Sequence, residues 1–593
     1  MKYPKPFRDL REFMNTLREN RELIEIQTPV DPTLEIAEIH RRVIADGGPA
    51  LLFRNVKGSP FPVVTNLFGT RERVDLAFRN APHAHIEKLV ALATREFPPS
   101  ISKLWESRRT LKTLLSLGLK RRKKGAVTEQ KIQPANLDLL PMLKSWPDDG
   151  GHFLTLPLVY TEDPQDQGSP ANLGMYRIQR HSSNICGLHW QIGKGGGYHH
   201  ASAEKARLPL PVSIFLGGPP ALMLSAITPL PERVPELLFC SLLQEGSLEV
   251  SSAAERELGH PHPLISQCEF AIIGEAPPHE RKPEGPFGDH YGYYSLEHPF
   301  PFMHCKAIYH RKDPIYPATV VGKPRQEDYY LGNYLQEMLS PLFPVVMPGV
   351  KSLWSYGETG FHSLGAAVVA ERFGRECMTH AFRILGEGQL SLTKFLLLTD
   401  QPVDVRSIRS VLRCILERMR PERDLFIFSN LCLDTLDYTG PTLNEGSRGV
   451  MLGMGEPVRN LPERFYGTLP KGISHAVAFT AGCLVVELSD AEGQLDFEKL
   501  LAAPQLDEWP LIVVVDDVND TVKSDESFLW TVFTRFEPAA DIHARRTSVH
   551  RHHLVYQLPL LIDARMKSTY PDVVTCDSDT EALVTKRWNE YFN

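Results

Sequence analysis

Charged side chains in two separate segments have the types and spacing of a site that handles an anion and a proton. NLGMYR contains Arg177, and EGPFGDHYGYY contains Glu284 and Asp289. On a strand, Arg177 would share a face with Leu173 and Met175, and such a buried guanidinium needs a carboxylate or phosphate partner. A Gly- and Pro-rich turn would fold the two acids into one pocket, where desolvation and mutual repulsion are expected to raise one carboxyl pKa towards neutrality. An ordinary polar loop with solvated acids is the alternative.

A glycine-rich segment, GLHWQIGKGGGYHH at residues 187–200, is the second candidate for ligand binding. Three successive glycines after Lys194 let the backbone approach a ligand closely, and a lysine with exposed N–H groups suits a phosphate. Because the segment lacks a P-loop or dinucleotide fingerprint, a surface turn remains the alternative. His199 and His200 offer imidazole ligands, whereas the histidines of DIHARRTSVHRHHLVY would alternate between the two sides of a strand.

The segments that must position these residues are a mixture of helices and short strands. In the first 56 residues, FRDLREFMNTLREN predicts a helix, ELIEIQT a strand, PTLEIAEIHRRVIAD a second helix and ALLFRNV a second strand. Residues 152–320 contain many short β-rich runs between Gly and Pro, which indicates a barrel or a sandwich. The pattern predicts an α/β class, with a layered N-terminal domain ahead of a β-rich one.

The C-terminal part carries an internal echo. A strand-helix-strand pattern over residues 395–428 returns later in the chain, and three markers recur at an offset of 117 residues: Asp400, Pro421 and Asp424 align with Asp517, Pro538 and Asp541. Any two βα units share acidic helix starts, but three coincident markers favour a degenerate duplication. We therefore expect domains over residues 1–125, 126–330 and 331–460, and an extension over 461–593 that carries the duplicated βα module.

Composition excludes several classes of function. The chain has 593 residues, enough for three or four domains of about 150 residues. It has 65 basic and 72 acidic residues, and the formal charge of −7 does not suit a nucleic-acid partner. The start MKYPKPFRDLREF has no apolar signal region and no run of 18 apolar residues follows, so we expect a soluble, cytoplasmic protein. Nine scattered cysteines without a C-x-x-C pair indicate reduced thiols.

One basic stretch suggests peripheral membrane contact. The residues ISKLWESRRTLKTLLSLGLKRRKKG, 101–125, predict a helix that ends in five successive cations, Lys120 to Lys124. Such a helix would bind an anionic membrane surface. The alternative is a solvated helix end whose cations complement the helix dipole.

Together, and in this order, the segments resemble the UbiD family of prenylated-FMN-dependent decarboxylases. The sequences FRDLREFMNTLRENRELIEIQTPVDPTLEIAEIHRRV, GGPALLF and NLFGT resemble the family's N-terminal domain. The sequences NLGMYR, HWQ, EGPFGDHYGYY and TKFLLLTD resemble its flavin-binding and C-terminal parts. The similarity covers most of the chain and implies a central split β-barrel domain that binds the flavin.

The resemblance also implies roles for individual residues. Arg177, Glu284 and Asp289 match the family's catalytic network, with Arg177 orienting the substrate, Glu284 pairing with Arg177 and relaying a proton, and Asp289 donating it. A larger set of residues matches the family's cofactor-contacting positions: Met175, Tyr176, Arg177, His189, Trp190, Lys194, Gly195 and Lys394. Within this set, Lys194 and Lys394 would contact the flavin phosphate.

A divalent metal is implied at Asn172 and Glu249, where oxygen ligands suit Mn²⁺ or Mg²⁺. Relatives carry a histidine ligand shortly after HWQ, where this sequence has Gly193. The third ligand would then be His199, His200 or water, or the site is weakened.

The implied activity is that of a carboxy-lyase that uses prenylated FMN without net oxidation. GMYR and HWQI are most similar to quinone-pathway members, which favours 4-hydroxy-3-polyprenylbenzoate of ubiquinone biosynthesis as the acid. The alternatives are 1,4-dihydroxy-6-naphthoate of menaquinone biosynthesis and a flavin-binding assembly subunit without turnover. A flavin prenyltransferase would supply the cofactor, and a homo-oligomer is expected.

Overall fold

Helices and strands alternate along the chain, and the predicted mixed α/β class is confirmed. The computed structural model describes residues 5–79, 81–95, 117–166, 168–190, 195–230, 234–259, 262–323, 325–489 and 496–592. The chain divides into two units, one formed by Met1–Met338 with Asp572–Asn593 and the other by Leu339–Pro571.

The first unit begins with the predicted helix, which spans Leu10–Glu19. Its apolar positions recur at helical spacing and are buried, and Asp9 caps its start by accepting the Glu12 N–H at 3.0 Å. A cap of this kind contributes about 1 kcal/mol. The second predicted helix spans Glu35–Ala45. The accompanying four-stranded sheet has the order Leu23–Ile26, Ala50–Phe53, Val63–Thr65 and Tyr316–Pro317.

The β-rich region forms a seven-stranded antiparallel sheet in the same unit. Its strands, in sheet order, are Ile185–Gly187, Phe302–His310, Phe270–Ala276, Leu210–Leu216, Leu158–Thr161 and Asn172–Met175, and Gln130–Ile132 pairs with Phe302–His310 off this path. Across the described residues the sheet is open, because its end strands are not paired with each other. The central strands are buried on both faces, so apolar runs rather than alternation mark them in the sequence.

The basic run does not form the predicted helix end. Leu119–Arg122 is an exposed strand that pairs in parallel with Leu248–Ser251, and Arg122 donates to Glu249 at 2.8 Å. The prediction was wrong here because pairing with a distant strand overrides local helix propensity. The preceding residues 101–116 lie outside the described part of the chain. No helix among the described residues is long and apolar enough to cross a bilayer.

The other helices of the first unit surround these sheets. In the described part of the chain, those of five residues or more are Arg71–Phe78, Ala81–Arg95, Gly195–Ala206, Pro220–Ile227, Glu236–Leu243, Glu327–Leu339 and Ser578–Tyr591. The last of these packs on Glu35–Ala45, where the Tyr591 hydroxyl donates to Glu35 at 2.7 Å. Residues 572–592 therefore complete the unit that the first third of the chain begins.

The second unit contains one topology twice. Each five-stranded sheet has an antiparallel pair, two parallel pairs and a final antiparallel pair. The first sheet has the order Val350–Ser355, Leu364–Val369, Phe395–Thr399, Glu445–Gly453 and Leu425–Cys432. The second has the order Ile473–Thr480, Cys483–Leu488, Leu511–Val515, His553–Asp563 and Ile542–His550. This repetition is what the predicted duplication requires.

The repeated markers have a physical basis. The helices Ile408–Arg418 and Asp525–Arg535 begin and end at the same 117-residue offset, and both contribute to one shared apolar core. Asp424 accepts the Arg420 N–H at 3.0 Å, and Asp541 accepts the Glu537 N–H at 2.7 Å, which closes the same short turn in each copy. The other α-helices that the structure describes in this unit are Phe343–Val346, Glu376–Ile384, Pro421–Asp424, Phe497–Leu501, Val518–Val522 and Pro538–Asp541.

Candidate active site

The three predicted acid-base residues meet in the first unit. Arg177 follows the strand Asn172–Met175 and donates from Nε and Nη2 to the two oxygens of Glu284, both at 2.8 Å. Its Nη1 donates to Asp289 Oδ2, and Nη2 also donates to Ser295 Oγ at 2.9 Å. The side chains of Arg177, Glu284 and Asp289 are 8%, 0% and 11% exposed. The cation therefore joins two carboxylates away from bulk water.

A tight loop presents both acids to Arg177. The strands Phe287–Gly288 and Tyr294–Ser295 pair on either side of Asp289, and Gly288 N–H donates to the buried Asp149 at 2.8 Å. A Cβ on Gly288 would overlap the Trp146 indole. Glycine is required at this position by space, because the loop backbone lies directly against that ring.

Both carboxyls have a lowered pKa. Burial alone would raise the pKa of Glu284, but the Arg177 charge and hydrogen bonds from His189 and Arg177 outweigh it and lower that pKa to about 2. Burial acts in the same way on Asp289, where hydrogen bonds and charge from His290 and the charge of Arg177 hold the pKa below its usual range. The prediction of a carboxyl with a raised pKa was wrong, because Arg177 pairs with both acids, and His189 and His290 give further hydrogen bonds to Glu284 and Asp289.

His189 connects this network to a second set of groups. Its Nδ1 lies 3.1 Å from Glu284 Oε2, and burial followed by the Arg177 charge lowers its pKa. The ring is neutral at pH 7, so Nδ1 carries the hydrogen and Nε2 is a bare acceptor. That Nε2 atom is buried without a hydrogen-bond partner in the described structure. A buried acceptor of this kind is satisfied only when a donor is bound beside it.

Another position predicted to contact the cofactor shows the same feature. Trp190 Nε1 is also buried without a partner among the described residues. A Cβ on Gly196 would lie 2.7 Å from Trp190 Nε1, and a Cβ on Gly195 would overlap the Asn172 carboxamide. The backbone of both glycines therefore packs closely on these side chains, and the unsatisfied Trp190 N–H and His189 Nε2 fit a polar ligand.

The remaining predicted cofactor positions differ in their surroundings. Met175 ends the strand that precedes Arg177, and burial raises the pKa of the Tyr176 hydroxyl. Lys394 belongs to the second unit, where its Nζ lies 2.8 Å from Asp437 Oδ2 and both side chains are buried. Lys194 and Gly193 lie outside the described residues.

The residues predicted to bind a divalent metal have different surroundings. Glu249 is 38% exposed and accepts from Arg122, while Asn172 is buried. His199 Nδ1 lies 2.9 Å from the Thr161 hydroxyl, and His200 Nδ1 lies 3.8 Å from Glu204. Among the described residues, no three His, Cys, Asp or Glu side chains converge to hold a metal ion.

The sequence reasoning missed two residues that contact this network, Ser295 and His290. Ser295 accepts from Arg177 and also from the Phe287 N–H at 3.2 Å, which ties the cation to the loop. His290 Nδ1 lies 2.6 Å from Asp289 Oδ1. The sequence did place His290 directly after Asp289. That position alone does not predict a contact, because adjacent side chains on a strand point to opposite faces.

Three family models match successive parts of the chain. All describe a 3-octaprenyl-4-hydroxybenzoate carboxy-lyase: its N-terminal domain matches residues 14–93, its Rift-related domain 119–324 and its C-terminal domain 329–453. The second copy of the duplicated module lies beyond these matches.

Known proteins are similar over most of this length. A Chlamydia pneumoniae protein, named as one of the subunits of a 4-hydroxybenzoate decarboxylase, is 53% identical over 98% of both chains. An uncharacterized Archaeoglobus fulgidus protein is 34% identical and covers 73% of this chain and 89% of its own.

Solved structures share the fold. Sedimentibacter hydroxybenzoicus vanillic acid decarboxylase in its closed form has a TM-score of 0.67 at 25% identity, covering 79% of this chain and 97% of that one. The UbiD-class enzyme HmfF from Pelotomaculum thermopropionicum, in complex with FMN, has a TM-score of 0.61 at 23% identity, covering 78% and 98%.

Proposed function

This chain belongs to the UbiD family of carboxy-lyases, and on that premise we propose that it decarboxylates a hydroxylated aromatic acid with prenylated FMN. The observation that supports this most is the buried contact of Arg177 with both Glu284 and Asp289. A cation held by two acids in a water-poor setting suits the binding of a carboxylate and the control of a proton.

The three side chains have distinct proposed tasks. Arg177 orients the substrate carboxylate and stabilises its charge. Glu284 fixes the guanidinium by a two-point contact and, through His189, joins it to the cofactor positions. Asp289 delivers the proton to the carbon that loses CO₂. Because Asp289 is anionic in this structure, it must first gain that proton.

Prenylated FMN fits the residues that are present. HmfF has been solved with FMN, and an evolved dimeric form of it with prFMN. When bound, the prenylated flavin accepts the electron pair that the departing carboxylate leaves behind. The unsatisfied atoms of His189 and Trp190 would bind its polar edges. The proposed contact residues are Met175, Tyr176, Arg177, His189, Trp190, Lys194, Gly195 and Lys394.

The divalent metal has weaker support. Asn172 and Glu249 supply two oxygen donors, but Glu249 already accepts from Arg122 at 2.8 Å. Mn²⁺ or Mg²⁺ at these positions stays a prediction, and we derive no chemical step from it.

A phenolic acid is the best-supported substrate. The matching family models are described for 3-octaprenyl-4-hydroxybenzoate, and the Chlamydia pneumoniae relative is named for 4-hydroxybenzoate. We therefore propose 4-hydroxy-3-polyprenylbenzoate or a simpler 4-hydroxybenzoate, with 1,4-dihydroxy-6-naphthoate as the alternative acid. We further propose that the protein is a cytoplasmic homo-oligomer and that a flavin prenyltransferase supplies its cofactor. Peripheral contact with a membrane would give it access to a prenylated acid.

A flavin-binding assembly subunit is the second candidate. The name of the Chlamydia pneumoniae relative favours it, because that name makes the relative one of several subunits of its decarboxylase. The complete Arg177, Glu284 and Asp289 network opposes it, since a subunit without turnover has no use for a buried charged cluster.

The test is CO₂ release from the full chain after co-expression with a flavin prenyltransferase. Benzoate, naphthoate and acrylate acids are compared, and the cofactor is identified by its absorbance and mass. Glu284→Gln should abolish CO₂ release with the flavin still bound, whereas Glu275→Gln, on a partly exposed ion pair with Lys306, should keep it. Bound prenylated flavin without CO₂ release from any acid would favour the assembly subunit, and unchanged turnover in Glu284→Gln would remove its role.

A further inference from the structure

Asp289 is held by hydrogen bonds on both of its oxygens. Oδ2 accepts from Arg177, and Oδ1 accepts from the backbone N–H of His290 at 2.7 Å and lies 2.6 Å from its Nδ1. Because a carboxylate oxygen only accepts, Nδ1 of the imidazole carries the hydrogen in this contact. The loop conformation thus brings the imidazole of His290 into contact with the carboxylate of the preceding residue, Asp289.

The two side chains differ in their access to solvent. The His290 side chain is 27% exposed, whereas that of Asp289 is 11% exposed and faces the buried Arg177. An imidazole exchanges protons with water near neutral pH, and it is the ordinary protein group for that task. His290 therefore stands between bulk water and the carboxyl that needs a proton.

The charge balance of the network points the same way. Arg177 with two carboxylates carries a net charge of −1, which opposes the approach of an anionic acid. A proton taken up by His290 brings that sum to zero before a substrate carboxylate arrives. The loss of CO₂ from an acid anion also consumes one proton for each turnover, so the site needs a route that renews it.

We propose that His290 is the residue that delivers the proton to Asp289, an inference that rests on the proposed decarboxylation. The Nδ1–H bond breaks as the Asp289 O–H bond forms. That O–H bond then breaks as a C–H bond forms with the electron pair left by CO₂. Solvent returns a proton to the imidazole, so the balance is an acid anion plus one proton giving the decarboxylated product and CO₂.

Other groups also act on the imidazole. Asp328 lies at the start of the helix Glu327–Leu339 and interacts electrostatically with His290. Burial raises the pKa of Asp328 to about 6, and the charge of His290 offsets part of that rise. The Tyr291 ring lies edge-on to the imidazole, with 5.1 Å between centroids. Among the described residues, Asp328 and Tyr291 therefore join Asp289 and Arg177 as groups that enter a pH profile of His290.

The kinetic test separates proton delivery from a structural role. His290→Asn keeps an N–H donor near the Nδ1 position but cannot exchange protons, so flavin binding should persist while CO₂ release falls about 100-fold. In His290→Ala, added imidazole should restore the rate in proportion to its concentration. The control is His279→Asn, which changes a histidine of the same unit that is 63% exposed and lies 3.9 Å from Glu204, and it should release CO₂ as the unchanged protein does. A His290→Asn rate within about threefold of normal, or a His290→Ala loss that imidazole does not relieve, would overturn the proposal.

A second test needs no turnover. Histidine-labelled full chain is titrated by NMR, and the His290 signal is identified by its loss in His290→Asn. Replacing the neighbouring carboxylate in Asp289→Asn should lower the His290 midpoint by about 1–3 pH units. An unchanged midpoint contradicts the pairing even if decarboxylation is present. A shifted midpoint in a chain that releases no CO₂ leaves the pairing intact and refutes the proposed function.

Discussion

Removing one charge from the Arg177 network should have a measurable and pH-dependent thermodynamic cost. In Glu284→Gln the guanidinium loses a carboxylate that is fully buried and contacts it at two points of 2.8 Å each. The amide keeps the shape of the side chain but can no longer neutralise the cation. We therefore expect a large loss of stability in the first unit at pH 7.

The magnitude follows from the carboxyl itself. The pKa of Glu284 falls from its ordinary 4.5 to about 2 in the folded chain, and at about 1.4 kcal/mol for each pKa unit the ionised form is favoured by about 3 kcal/mol. Breaking a buried ion pair costs a similar amount. Because the folded-state pKa is the lower one, this stabilisation is present above about pH 4.5 and is lost as the pH falls towards 2.

The assay is amide hydrogen exchange of peptides that cover residues 172–180 and 284–295, which reports opening of the first unit alone. Exchange in Glu284→Gln should be about 100-fold faster at pH 7, and the difference in opening free energy should stay constant down to pH 5. The control Glu275→Gln removes a partly exposed pair with Lys306, 26% and 35% exposed, and should cost less than about 1 kcal/mol.

Two results would refute the reasoning. A cost for Glu284→Gln no larger than that of the control would show that Arg177 does not depend on this carboxylate. A cost that shrinks between pH 8 and pH 5 would show that Glu284 titrates near neutrality, as the spacing of the two acids first indicated.

Two further substitutions test the surroundings of the site and the second unit. Gly288→Ala places a Cβ against the buried Trp146 and should lower the free energy of unfolding, measured by urea titration, by about 1–3 kcal/mol. The control is Gly374→Ala, where a Cβ would have no atom within 4 Å, and it should change the free energy of unfolding by less than about 0.5 kcal/mol. Equal urea midpoints for the two variants would contradict the close approach of Gly288 to Trp146. Lys394→Met leaves Asp437 buried without its cation and should destabilise the second unit by about 3–5 kcal/mol. The double change Lys394→Met with Asp437→Leu should recover most of that loss, and a double variant no more stable than the single one would show that the charges do not act as a pair.

The meeting of Arg177 with the acids could be predicted from the sequence, but the electrostatic result could not. A buried guanidinium requires an anion, either a carboxylate or a phosphate, and the resemblance to the UbiD family implied that Glu284 and Asp289 are its partners. Spacing shows that two carboxyls lie near each other, yet it does not show which cation stands between them. Here Arg177, with His189 at Glu284 and His290 at Asp289, lowers the pKa of both carboxyls despite their burial.

Sequence patterns also differed in how well they predicted local structure. The helix Leu10–Glu19 was predictable because its apolar spacing and its cap agree. The basic run after Gly118 was not, because its strand exists only through pairing with Leu248–Ser251, far along the chain. His290 was missed for a related reason, since its contact with Asp289 depends on a loop backbone that periodicity does not describe.

The return of the chain to its first unit sets an order of events during synthesis. The Asp572 carbonyl accepts from the Tyr294 N–H, and the Val574 N–H donates to the Gly292 carbonyl, within the loop that follows Asp289. A ribosome that adds 5–20 residues per second reaches those positions roughly 10–50 s after it has finished residue 338. During that interval the loop waits for its last backbone partners while the intervening unit folds. A nascent chain released early would carry Arg177, Glu284 and Asp289 with an unsupported loop, so only a chain translated past residue 574 gains the complete site.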